Sequence, residues 1–252
     1  MTKLSVNLNK VATLRNTRDV GIPSVTRAAR IALEAGARGI TLHPRPDQRH
    51  IRPHDVVEVA ALLREHPGRE LNLEGNPFLG AEVSLLAHVE RHEPAQCTLV
   101  PDSENQVTSD HGWDLRKDGD RLRPILAGLR AIGVRSSLFV DPVPSAIPRA
   151  KDIGADRVEL YTEPYAAAFA RGDARASLDA FRDAAAAATD AGLGVNAGHD
   201  LNLENLGPFL EAVPGVLEVS IGHALIADAL ELGLAEAVRR YLAITEGAAS
   251  SV

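Results

Sequence analysis

Gly39-Ile40-Thr41-Leu42-His43-Pro44-Arg45-Pro46-Asp47-Gln48-Arg49-His50 is a short apolar run that stops in a knot of ionisable side chains. The run reads as a buried strand, because Ile40 and Leu42 lie between a Gly and a Pro and Thr41 suits a pleated surface. Pro44 and Pro46 have no N–H to give a ladder, so the polar residues belong to a loop just past the strand. Two X-Pro units hold that loop extended, and little entropy is lost in ordering it. Arg and His together suit a phosphate oxyanion, which accepts several charge-assisted hydrogen bonds. A solvated surface loop is the plain alternative, and one His or one Arg would not argue against it. Five ionisable side chains between His43 and His50 do.

The same kind of unit recurs along the chain. Strand-like runs occupy Lys3–Asn7, Gly39–His43, Glu70–Glu74, Gln96–Val100, Arg135–Val140, Arg157–Tyr161, Gly194–Ala197 and Leu217–Ile221. Helical periodicity between them predicts helices over Val25–Ala35, His54–Glu65, Glu82–Arg91, Leu122–Ala131, Ser145–Asp152, Leu178–Ala191, Leu203–Ala212 and Ala224–Tyr241. Gly36, Gly68, Gly133, Gly154 and Gly192 stand where such helices stop. Eight strand–helix units imply right-handed crossovers and a parallel sheet, and 252 residues suit their closure into a (β/α)8 TIM barrel. The alternative is an open doubly wound sheet, but no strand–Gly-x-Gly-x-x-Gly–helix unit supports it. Two connections exceed the usual length, Pro101 to Arg121 after strand four and Thr162 to Ser177 after strand six. Extra helices or lids are expected in both. No linker divides the chain, so residues 1–252 read as one domain, with a frayed tail at Gly247–Val252.

Composition narrows the function classes. Hydrophobic content of 45% and charged content of 24% are ordinary for a globular chain that can bury a sizeable core. A net charge of −7 argues against a nucleic-acid footprint, though not against a small anionic ligand held by local charge. The single cysteine, Cys97, excludes an internal disulfide and fits a reducing compartment. Met1 to Asn9 contains no secretory apolar region, and no stretch reaches the length of a membrane span. The cytoplasm is the expected location, with no membrane partner.

In a barrel the reacting groups come from the C-terminal ends of the strands. Those ends read Asn7-Leu8-Asn9-Lys10, His43, Glu74, Pro101-Asp102, Asp141, Glu159 with Tyr161, Asn196-Ala197-Gly198-His199-Asp200 and Gly222-His223. The opposite ends carry mostly Gly, Ala and Arg, and that asymmetry favours a catalytic mouth. Glu74 points into the mouth between apolar walls, where burial raises a carboxyl pKa and suits acid/base work. Glu159 alternates with Val158 and Leu160 and so faces the barrel interior. For both glutamates a structural ion pair is the competing reading. His199 follows the small residues Ala197 and Gly198, and a hydrogen-bonded structural His is its competing reading. Gly222 and His223 open the last helix, whose free N–H groups suit an anion, against a plain capping turn. A metal is not expected, because no His pair has ligand spacing. Of the lysines only Lys10 lies near a strand end, so imine chemistry through the enzyme is not favoured. Cys97 reads as a core residue.

These motifs, taken in order, resemble the pyridoxine 5'-phosphate synthase family over nearly the whole chain. The likeness rests on Ser5-Val6-Asn7, Ala12-Thr13-Leu14-Arg15-Asn16-Thr17-Arg18, Gly39-Ile40-Thr41-Leu42-His43, Arg49-His50-Ile51, Asn72-Leu73-Glu74, Leu99-Val100-Pro101, Val107-Thr108, Val195-Asn196-Ala197-Gly198-His199 and Ile221-Gly222-His223-Ala224. The resemblance implies a transferase of vitamin B6 biosynthesis on a TIM barrel, assembled as a homo-octamer (a tetramer of dimers), with no metal or organic cofactor. Its substrates would be 1-deoxy-D-xylulose 5-phosphate and 3-amino-2-oxopropyl phosphate. It implies His43 and Glu74 as general bases, His199 as proton donor and Glu159 as a stabiliser of charge. It implies Arg45, His50 and Thr108 as contacts of the deoxyxylulose phosphate, and Asn7, Arg18, Gly222 and His223 as contacts of the amino-ketone phosphate. Asp47 and Arg49 have no implied substrate role and are expected to brace their loop against each other.

Four positions depart from the commoner family pattern. Asn9-Lys10 replaces Asp-His, Asp200 replaces Gly and Ser220 replaces Asn, which suggests a subgroup. Asn9, Lys10 and Asp200 are expected among the substrate contacts, with Lys10 offsetting the charge of Asp200 across about 10 Å. Two other functions compete: another phosphosugar lyase or isomerase on the same barrel, and a non-catalytic sensor of phosphate ligands. Glu74 separates the sensor from the enzymes, since a sensor needs the cations but not a desolvated carboxylate.

Overall fold

The computed structural model describes residues 1–80, 84–103, 106 and 109–247. Eight strands are β1 (Lys3–Asn7), β2 (Gly39–Leu42), β3 (Glu70–Gly75), β4 (Gln96–Leu99), β5 (Arg135–Val140), β6 (Arg157–Leu160), β7 (Gly194–Ala197) and β8 (Val216–Ile221). They close into a barrel in sequence order with every pairing parallel, β8 returning to β1. The expected (β/α)8 barrel is therefore present. Strand limits fall within one residue of those read from the sequence.

The helices are α1 (Asn9–Asn16), α2 (Val25–Glu34), α3 (Pro53–Arg64), α4 (Leu85–His92), α5 (Leu115–Ala131), α6 (Pro148–Asp152), α7 (Glu163–Ala170), α8 (Arg175–Asp190), α9 (Leu206–Ala212), α10 (His223–Leu232) and α11 (Leu234–Gly247). Ser24 and Ser84 cap α2 and α4 by accepting from Arg27 and Ala87 N–H groups. The extra helix expected after strand six is α7. After strand four the connection is shorter than expected, because α5 begins at Leu115 rather than Leu122. Asp114 caps it by accepting from the Arg116 and Lys117 N–H groups. Gly119 lies inside this first stretch, and a Cβ there would come within 3.3 Å of Ile153, so the glycine serves packing rather than a turn. No separate helix occurs between β4 and α5 among the described residues.

Two further differences come from local chemistry. No helix is expected before Val25, yet Asn9-Lys10 forms the first turn of α1, with only Leu8 between it and β1. The predicted helix Ala224–Tyr241 is two helices, split at Gly233, whose φ of +80° suits glycine and stops α10. The predicted start of α4 at Glu82 and all of the predicted tail except Gly247 lie outside the described residues.

Side chains alternate along each strand. Leu4, Val6, Ile40, Leu42, Leu73 and Leu99 are fully buried in the core that the barrel shares with its helices. Each such burial contributes about 1.5–3 kcal/mol. Cys97 belongs to this shell, and burial pushes its thiol pKa up, as suits a core residue. The alternate positions fill the barrel with polar groups instead. Ser5, Thr41, Asn72, Thr98 and Ser220 join hydroxyl to hydroxyl and amide across the interior at 2.8–3.3 Å.

Candidate active site

The strand C-termini surround a cavity of about 500 Å3. It brings together Asn7, Asn9 and Lys10 from β1 and α1, His43, Arg45 and His50 beyond β2, and Glu74 from β3. Glu159 of β6, His199 and Asp200 beyond β7, and Gly222 and His223 beyond β8 complete it. Arg18 is not among them: it lines a neighbouring cavity of about 170 Å3 with Arg15, Asp19, Arg52 and Asp55. Thr108 lies outside the described residues.

Glu74 is gripped by two amides. Asn7 Nδ2 donates to its Oε1 at 2.9 Å and Asn9 Nδ2 donates to the same oxygen at 3.0 Å. The backbone settles which way both amides face. Asn7 Oδ1 accepts from the Asn9 N–H at 3.0 Å, and Asn9 Oδ1 accepts from the His43 N–H at 2.9 Å. A backbone N–H only donates, so each amide must turn its NH2 to the glutamate. No Lys or Arg among the described residues pairs with Glu74; His43 Nδ1 stands 3.8 Å away. Burial outweighs the amides and the nearby His199, so the Glu74 carboxyl pKa lies above the ordinary range.

Glu159 is more extreme. It is 4% exposed, and burial, then Glu74 and Glu218, hold its carboxyl well above the ordinary range. The Thr98 hydroxyl opposes this only in part. No cation pairs with it among the described residues. A structural ion pair therefore describes neither mouth glutamate, and two facing carboxylates favour keeping a proton on one of them.

The two histidines of the β2 loop are pushed towards the neutral form. Burial and then the neighbouring His50 and Arg45 lower His43 well below its ordinary value. His50 falls to about 4, through burial and then Arg45, with Asp47 opposing and Lys10 adding to the drop. Its Nδ1 accepts the Ile51 N–H at 2.9 Å, so the neutral ring carries its proton on Nε2. Arg45 is held by Asp102 at 3.4 Å, Asp47 at 3.6 Å and the Ser103 carbonyl at 3.0 Å. Arg49 Nε donates to Asp47 at 2.7 Å, so these two do brace the loop.

His199 is the counterweight. Its Nδ1 lies 2.9 Å from Asp200 Oδ2. Burial alone would lower this imidazole, yet the bond to Asp200 and the charges of Asp200, Glu74 and Asp102 raise it above the ordinary value. Lys10 and Asp200 line the same cavity, and the hydrogen bond that the Asp200 carboxylate makes is to its neighbour His199. The Lys10 ammonium acts on His50.

Several cavity residues were given no role in the sequence reading. Phe139 packs on Tyr161 at 5.5 Å and joins Val100 in an apolar wall. The alternation of Ser137 and Phe139 along β5 was the signal for it. Asp102 follows β4 and is buried beside Arg45; Ser109, Asn202, Ser220 and Ala224 complete the lining. Among the described residues no group of three or more His, Cys, Asp or Glu is arranged to hold a metal. No described helix is long and apolar enough to cross a membrane.

This arrangement can take protons at one face, at His43 and Glu74, and give them at another, at His199. Comparison with known proteins shows the family. The sequence model of a family described as pyridoxal phosphate biosynthesis protein PdxJ matches residues 4–247. A pyridoxine 5'-phosphate synthase of Albidiferax ferrireducens is 59% identical over 96% of both chains. One from Xanthomonas axonopodis pv. citri is 55% identical, again over 96% of both. Among solved structures, a thiamine phosphate pyrophosphorylase from Pyrococcus furiosus shares the fold at a TM-score of 0.61 and 14% identity, covering 98% of this chain and 96% of that one.

Proposed function

The chain belongs to the PdxJ family of pyridoxal phosphate biosynthesis proteins, and from that premise we propose how its barrel mouth makes pyridoxine 5'-phosphate. The activity is that of a pyridoxine 5'-phosphate synthase in vitamin B6 biosynthesis. In the proposed reaction 1-deoxy-D-xylulose 5-phosphate condenses with 3-amino-2-oxopropyl phosphate and releases inorganic phosphate and water. The amine arrives on a substrate, so an imine forms without an enzyme lysine. Ring closure then needs several proton transfers, each worth about 10²–10⁴-fold when a side chain is positioned for it. His43, held neutral, and Glu74 take protons. His199 gives one to a leaving oxygen. Glu159, kept protonated by burial, steadies developing charge as a hydrogen-bond donor.

Two phosphates need two sites. Arg45, the Nε2–H of His50 and the Lys10 ammonium serve the phosphate that is expelled. The first N–H groups of α10 at Gly222 and His223, with Asn7, serve the one that is kept. The implied set adds Thr108 to the first and Arg18 to the second. Phe139 and Val100 give the forming ring an apolar wall. We read the chain as one domain working in the cytoplasm as a homo-octamer, a transferase needing no metal or organic cofactor. Leu14, Val20 and Ile22, exposed together around the connection after α1, fit contact between copies.

The observation that carries the mechanism is one cavity in which His43 is pushed to the neutral form and His199 to the charged one. Purified protein incubated with both substrates is expected to yield pyridoxine 5'-phosphate and inorganic phosphate. Substrates that bind without product would leave the sensor reading in its place.

A further inference from the structure

The bond between His199 and Asp200 has no place in the acid/base assignment above. A carboxylate only accepts, so at 2.9 Å the proton between Nδ1 and Oδ2 belongs to the imidazole. The segment bearing the pair is pinned from three sides. Gly198 passes so close to β8 that a Cβ there would lie 2.1 Å from the Ser220 carbonyl oxygen. Thr162 Oγ1, fully buried, donates to the Gly198 carbonyl at 3.2 Å and receives the Asp200 N–H at 3.3 Å. Asn205 Nδ2 donates to the Asp200 carbonyl at 3.4 Å, while the Asn205 carbonyl accepts from Tyr165 OH at 2.7 Å. The clamp holds the backbone of the pair, and from that backbone the Asp200 carboxylate meets the ring beside it.

We propose that Asp200 is a positioning residue for the proton donor His199: it fixes Nδ1–H against its own carboxylate and so makes Nε2–H the proton delivered to the reaction. The inference rests on His199 being the donor. Other groups bear on that ring. Glu74 from β3 and Asp102 from beyond β4 also favour its charged form, and His43 at the end of β2 opposes it. Beyond β6, Tyr161 feels the charges of both Asp200 and Glu163. Of all these, Asp200 alone holds a hydrogen bond to His199 Nδ1, so its loss changes both orientation and charge.

The test compares wild type with Asp200→Asn and Asp200→Gly, using the full pH profile of kcat and KM for both substrates. The amide keeps the shape but cannot hold the cation. The basic limb of kcat is expected to move down by about one pH unit in Asp200→Asn. Turnover at pH 8 should fall roughly tenfold and recover towards pH 6, with both KM values within about twofold. In 15N-histidine-labelled protein the His199 signal, assigned through His199→Gln, should titrate lower in Asp200→Asn than in wild type. An unmoved limb and an unmoved titration overturn the proposal. A raised KM with an unmoved limb makes Asp200 a substrate contact instead. If His199→Gln keeps full turnover, the underlying reading of His199 fails, which is a separate outcome.

Discussion

Glu70 and Glu74 lie on the same strand and point into the same barrel, yet one is built into a charge network and the other is kept out of one. At the closed end Glu70 meets Lys3 at 2.6 Å and pairs with Arg135 through its other oxygen. Arg135 and Asn196 donate to Gln96, Arg157 donates to Asn196 at 3.0 Å, and Arg157 stands 3.5 Å from Glu218. Lys3 and Arg135 outweigh burial and hold Glu70 below the ordinary carboxylate range. Even there, desolvation wins at the more deeply buried Glu218, which is raised despite Arg157. At the open end Glu74 and Glu159 have amides, a hydroxyl and each other, and both are raised. A carboxylate supplied with cations keeps its charge and ties strands together. One supplied only with neutral donors can exchange a proton.

That contrast can be broken by changing one glutamate at a time. Glu74→Gln has the largest expected effect: turnover falls at least about tenfold and as far as ~10⁴-fold, while substrate binding and the unfolding midpoint hold. Unchanged turnover would remove Glu74 from the mechanism. Glu70→Gln should do the reverse, costing about 1–3 kcal/mol of stability at pH 7 and sparing kcat. The sign with pH follows from the depressed pKa. The stability Glu70 contributes is present above the unfolded value near 4.3 and is lost as pH falls through the lower folded value. Denaturant midpoints of wild type and variant should therefore converge as acid is added, and a constant gap would count against the ion network.

Asn9→Asp sharpens the comparison at the mouth. It replaces a donor to Glu74 Oε1 with a second carboxylate, so the acid limb of kcat/KM should rise by about one pH unit. An unmoved or lowered limb would mean that the Asn9 side chain does not bear on the Glu74 proton. Glu159→Gln is expected to be the mildest, within about tenfold of wild-type kcat, because an amide resembles a protonated carboxyl. A loss as deep as that of Glu74→Gln would show that Glu159 acts as an anion.

Much of the barrel was legible because alternation along short strands is a local signal, as in Gly39–Leu42 and Glu70–Gly75. What escaped depended on context. Helix α1 at Asn9–Asn16 was not expected, since a helix starting so soon after β1 leaves no loop to mark it. Lys117-Asp118-Gly119-Asp120 looked like a loop, since only contact with Ile153 explains a glycine inside α5. The closed-end network was missed outright. Glu70 and its partners Lys3 and Arg135 lie 67 and 65 residues apart in sequence, and register alone brings them together. The mouth residues were legible as strand ends, but their roles were not. Asp200 was read only against Lys10, and its hydrogen bond to the adjacent His199 was not foreseen. Nothing in the sequence told which way the Asn7 and Asn9 amides face.

The most direct measurement is a pH titration followed by 13C NMR of glutamate-carboxyl-labelled protein, with Glu70→Gln, Glu74→Gln and Glu159→Gln assigning the signals. The account predicts that Glu74 and Glu159 titrate above the ordinary glutamate value of about 4.3 and Glu70 below it. Glu74 titrating at or below the value of Glu70 would contradict it.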